Sequence, residues 1–101
     1  MKYKYYSDPG HSWLQVPFTE IMRLNLTKKI SAWSYSNGSN VYLEEDYDAP
    51  LFLQAKKDTT GEPVQYMEYY TDQESPIRNF RPYSLGTGYD WSSFWCVVLL
   101  P

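Results

Sequence analysis

The pair Asn37-Gly38 sits between two runs rich in β-branched and aromatic residues, 30–36 and 40–45. Asn and Gly tolerate the left-handed backbone that a two-residue hairpin loop demands, so the sequence predicts a tight β-hairpin at this point. With Asn37 and Gly38 as the loop, Trp33 opposes Tyr42 and Ala32 opposes Leu43, and the period of two gives the ribbon two unlike faces. Ile30, Ala32, Val41 and Leu43 line one; Trp33, Tyr35, Tyr42 and Glu44 line the other. The aliphatic face calls for a covering layer. The aromatic face is then left for solvent, a partner or the C-terminal segment.

The flanking segments supply that layer. Residues 2–7 and 13–16 read as strands joined through the turn residues Asp8-Pro9-Gly10. Pro17 can open a short helix over 17–24, with Phe18, Ile21 and Met22 on one face and Asn25 near its end. A second helix is expected over 49–57, with Asp48 as N-cap, Leu51, Phe52 and Ala55 toward the core, and Lys56 and Lys57 near the negative end of its dipole. A loop over 58–63 leads to a strand over 64–71, and residues 77–83 fit a loop, a helical turn or a short strand equally well. The order β-β-α-β-β-α-β predicts an α+β fold, a small antiparallel sheet with two short helices packed on one face. The domain takes residues 1–83. Residues 84–101 hold Tyr89, Trp91, Phe94, Trp95 and an apolar run to Leu100, and are expected to dock on it, as an extra strand or a packed segment.

Charge narrows the range of partners. The net charge is -3, with five basic side chains against two acidic ones in residues 1–37 and nine acidic against two lysines in 38–75. Affinity for phosphate backbones comes mainly from Lys and Arg, so direct nucleic-acid binding is disfavoured and a basic protein partner is favoured. No run approaches the roughly 18 apolar residues of a membrane span, and residues 1–6 lack the apolar core of a secretion signal, so a cytoplasmic location without membrane attachment is expected. The lone Cys96 allows no internal disulfide, and with His11 as the one imidazole there is no four-ligand Cys/His zinc set. No metal or cofactor is expected.

Eight residues stand out as binding candidates: His11, Trp33, Tyr35, Tyr42, Glu44, Glu45, Asp46 and Arg78. His11 with Asp8 could form an acid/base pair, but Asp-Pro-Gly is common turn chemistry and no nucleophile motif surrounds it, so no residue is assigned as catalytic. The run Glu44-Glu45-Asp46-Tyr47-Asp48 lacks the glycine and distal glutamate of a calcium loop, and reads as solvated charge plus a helix cap. Trp33, Tyr35 and Tyr42 could stack on a base or a partner's side chain, with core packing as the competing reading. Arg78 and Arg81 could grip a phosphate or carboxylate, although ion pairing with the acidic middle of the chain ranks first.

The segments Asp8-Pro9-Gly10-His11-Ser12-Trp13-Leu14-Gln15-Val16, Val41-Tyr42-Leu43-Glu44-Glu45-Asp46 and Ser75-Pro76-Ile77-Arg78-Asn79 together resemble a family of small uncharacterised proteins of bacteriophages and other mobile elements. The resemblance spans roughly residues 3–83; that family commonly has Gly at position 12 and Cys at position 47, where this chain has Ser12 and Tyr47. It implies a setting rather than a chemistry: a non-enzymatic, phage-borne accessory protein that binds a bacterial host or defence protein through its acidic and aromatic surface. Two alternatives remain open, a small-ligand or nucleotide binder using the aromatic sheet face, and a hydrolase using His11 and an acidic residue. A homodimer through tyrosine-rich faces is also open.

Overall fold

A computed structural model describes residues 2–84. They form an α+β domain with the elements β1 (Lys2–Ser7), β2 (Ser12–Pro17), α1 (Phe18–Arg23), β3 (Tyr35–Asn37), β4 (Asn40–Glu44), α2 (Asp48–Thr60), β5 (Gln65–Tyr70), a 3-10 turn (Pro76–Asn79) and β6 (Arg81–Pro82). The six strands make one sheet in the order β5-β1-β2-β4-β3-β6. The docking and extra strand expected of the tail concern residues outside those described. Among the described residues no helix is long and apolar enough to cross a membrane.

The two helices lie on one sheet face, as expected. Ile21 from α1 and Ala49 and Phe52 from α2 pack with Leu14, Val16, Val41 and Leu43 of the central strands. Leu14 and Leu43 have no exposed surface, and burial of that kind stabilises by about 1.5–3 kcal/mol per side chain. Glu20 is buried beside this core and accepts hydrogen bonds from the Tyr3 hydroxyl at 3.0 Å, from Arg23 and from Lys56. Lys56, expected near the α2 dipole, thus spends its charge on α1 instead.

Helix ends follow local chemistry. Asn25, at φ 59°, lets the Leu26 N-H return to the Ile21 carbonyl at 2.9 Å and closes α1. Gly61, at φ 80°, ends α2 at residue 60, so the helix outruns the expected limit of 57. No atom lies within 4 Å of a Cβ built on Gly61. A Gly61→Ala change therefore meets backbone strain alone and is expected to lower stability by about 1 kcal/mol in urea denaturation.

Three sequence expectations need correction. The sheet is mixed rather than antiparallel throughout, because β5 pairs with β1 in parallel. The cause is α2: a helix of 13 residues carries the chain across the sheet and back to its starting end, so β5 runs in the same sense as β4 and β1. Second, the hairpin loop is Gly38-Ser39, which pairs Tyr35 with Tyr42 and moves Trp33 out of the ladder. Gly38 has positive φ and Asn37 does not, the signature of a loop that takes Gly as its first residue. That two-residue shift preserves parity, so Val41 and Leu43 still face the core and Tyr42 and Glu44 the opposite side.

Third, the strand expected over 30–36 survives only as Tyr35–Asn37. Asp48 makes no helix cap; its carboxylate accepts from the Ser31 N-H at 3.1 Å, the Ser31 hydroxyl at 2.7 Å and the Ser34 hydroxyl. Those bonds curl residues 31–34 into a turn. Ile30 keeps its place in the core, whereas Ala32 is exposed.

Candidate functional site

The site is built on the sheet face opposite the helices. Trp13 of β2, Tyr42 of β4 and Ile77 form a second buried cluster there, with Tyr6, Tyr35 and Phe80 against it. Its cover is the 3-10 turn: Ile77 is 4% exposed, and Phe80 meets the Tyr42 ring at a centroid distance of 5.0 Å. The aromatic face, expected to be left for solvent, a partner or the C-terminal segment, is instead sealed over Tyr42 by Ile77 and Phe80, and that burial pushes the Tyr42 phenol above its ordinary pKa.

Asp8 fastens the cover. Its carboxylate accepts from the Gly10 N-H at 2.9 Å, the His11 N-H at 3.0 Å and the Ser75 N-H at 2.9 Å, and takes Arg78 in a fork at 2.7 and 2.9 Å. The guanidinium carbon of Arg78 lies 5.3 Å from the Trp13 ring centroid. Arg78 thus pairs with the first turn of the chain and not with the acidic middle. Gly10 lets Arg78 approach: a Cβ there would sit 2.7 Å from Nη2.

At the edge of this cover the surface opens into a cleft of about 400 Å³ bounded by His11, Trp13, Trp33, Tyr35, Glu44, Asp46, Tyr47 and Arg78. Six of the eight residues singled out in the sequence meet in it. Trp33, on the turn held by Asp48, is 68% exposed and forms the rim with Tyr47, 63% exposed. Glu44 is 5% exposed; its Oε1 accepts from the Asp46 and Tyr47 N-H groups at 2.9 and 3.1 Å, and its Oε2 lies 3.6 Å from His11 Nδ1. One carboxylate therefore shapes the 45–47 turn and faces the imidazole.

No family model, curated protein or solved structure matches this chain. The cleft must be read from its own chemistry.

Two candidates lie elsewhere. Tyr42 sits beneath the 3-10 turn, and Glu45 stands outside the lining, where it joins His11 and Glu44 in a group whose donor atoms all lie within 4.8 Å of one another. Such a His/Glu/Glu group has donors that suit a divalent ion. The acid beside the His11 imidazole is Glu44; Asp8 meets only the His11 backbone. Tyr47, half of the rim, belongs to the run that reads as solvated charge, and the signal for it in the sequence is an aromatic ring set among carboxylates.

The carboxylates of Asp8 and Glu20 carry a pH signature. Arg78 and three backbone N-H groups hold Asp8 far below the usual carboxylate range, and Lys56 lowers Glu20. A depressed folded pKa contributes stability that is present above the unfolded value, about pH 4, and is lost as pH falls toward the folded one. Urea unfolding is expected to give a flat stability from pH 7 to about 5 and a steep loss below about 4, with a limiting slope near 1.4 kcal/mol per pH unit per group. An Asp8→Asn variant should show a shallower acid limb.

Proposed function

We propose that this chain is a non-enzymatic binding protein, an accessory of a bacteriophage or mobile element, that docks a bacterial host or defence protein through the acidic, aromatic cleft. The observation that carries the reading is convergence: residues 11, 13, 33, 35, 44, 46, 47 and 78, from distant parts of the sequence, line one concavity. Exposed Trp and Tyr side chains give large contact area for few frozen torsions, and such residues dominate binding energy at protein interfaces. The bacterial setting comes from the sequence resemblance.

The cleft volume also lies within the range of small-molecule sites, which keeps a ligand-binding reading in view. A nucleotide fits poorly, because Arg78 is committed to Asp8 and a phosphate would face Glu44 and Asp46. A thermal-shift series addresses small ligands, since occupancy at about a hundredfold excess over Kd adds about 2.7 kcal/mol.

For the protein-partner reading, the test is capture from bacterial lysate, identification by mass spectrometry and calorimetry with the purified partner. Binding is expected to fall at least about a hundredfold in the Trp33→Ala/Tyr47→Ala double variant, the loss of two hot-spot rings. Equal affinity in that variant would remove the cleft from the interaction.

A further inference from the structure

The geometry points to a cationic side chain, arginine in preference to lysine, on an exposed segment of a protein partner as the occupant of this cleft; the inference rests on the cleft being the recognition surface. With His11 neutral, the lining carries two carboxylates against one guanidinium. Glu44 and Asp46 line it and Glu45 stands beside it, while Arg78 is neutralised by the two-pronged contact with Asp8 at 2.7 and 2.9 Å. An entering cation meets carboxylates with a neutralised basic wall behind them, and an entering anion meets repulsion.

The rim supplies the second half of the recognition. Trp33 and Tyr47 offer exposed ring faces next to those carboxylates, and aromatic rings attract cations through their quadrupole. The same combination is already at work one layer deeper, where the Arg78 guanidinium lies over the Trp13 ring while Asp8 holds its edge. A guanidinium is planar, stacks on a ring and presents a fork of N-H groups to a carboxylate at once; an ammonium presents a hydrated point charge. Arginine is therefore favoured over lysine. The overall charge of -3 adds long-range attraction for a basic partner.

The test uses the whole chain and three blocked nonapeptides in a Gly/Ser frame whose central residue is arginine, lysine or citrulline, titrated by NMR at low salt. Citrulline keeps the shape of arginine and removes its charge. The arginine peptide is expected to bind at least about tenfold more tightly than the citrulline peptide, to exceed the lysine peptide severalfold, and to shift the Trp33 indole resonance. Asp46→Asn, at an exposed side chain, and Glu44→Gln should each weaken it severalfold, and 0.5 M salt should weaken it further.

Equal binding of the arginine and citrulline peptides, or tighter binding of adenosine monophosphate than of the arginine peptide, would overturn the inference. A zinc or manganese titration that shifts His11 and Glu45 and displaces the arginine peptide would also overturn it, assigning the site to a metal ion. The two readings fail separately. A captured partner that still depends on Trp33 and Tyr47, with no peptide discrimination, removes the cationic occupant alone; a partner indifferent to those two residues removes the cleft itself.

Discussion

Replacing Asp8 with alanine is expected to lower folding stability by about 3 kcal/mol, the largest effect of any single polar substitution in the domain. The change strips the acceptor from three backbone N-H groups and leaves Arg78 unpaired over Trp13. Arg78 retains 27% exposure of its side chain, so solvent screens part of the loss and the figure belongs at the low end for a broken buried pair. Because Asp8 ties residue 75 to the first turn, the 3-10 turn should loosen with it and uncover Trp13 and Tyr42. Urea denaturation gives the energy, and hydrogen exchange at Ile77 and Arg78 gives the location. A loss below about 1 kcal/mol would mean that the cover is held by its apolar contacts alone.

The second large effect is expected at Asp48, where alanine should cost about 2–3 kcal/mol by leaving three donors of Ser31 and Ser34 without their acceptor. Ser34 has no exposed surface, and its oxygen accepts the Glu44 N-H at 2.9 Å, so the disturbance reaches the end of β4. This tether also places Trp33 at the rim. The variant should therefore lose cleft binding while keeping helix α2, whose first turn has no side-chain cap to lose. Circular dichroism separates the two consequences: a helical signal intact with binding lost supports the tether, and a melted helix contradicts it.

Local chemistry made part of this fold legible. Asp8-Pro9-Gly10 marked the first turn, Pro17 the start of α1, and the alternation in β4 its two faces. What escaped depends on contacts between residues distant in sequence. The Asp8–Arg78 fork joins positions 70 apart, and the Asp48–Ser34 bond bends a segment whose composition favours a strand. The direction of β5 depends on how far α2 travels across the sheet, a property of packing rather than of any residue in β5.

The candidate site shows the same division. Aromatic and charged residues that no core pattern absorbed could be picked out one by one, and six of them share the cleft. Tyr42 failed that reading because the turn that buries it starts more than thirty residues later, at Pro76. Trp33 is exposed but out of the expected register, since it sits on the turn tethered by Asp48 and not on the sheet face.

Backbone and indole NMR shift mapping with the captured partner is the most direct check on the role of the cleft. Perturbations are expected to concentrate at His11, the Trp33 indole and residues 44–47, and to spare β5. A footprint centred on Tyr66, Met67, Tyr69 and Tyr70, with the Trp33 indole unmoved, would contradict the account and place recognition on the exposed edge strand instead.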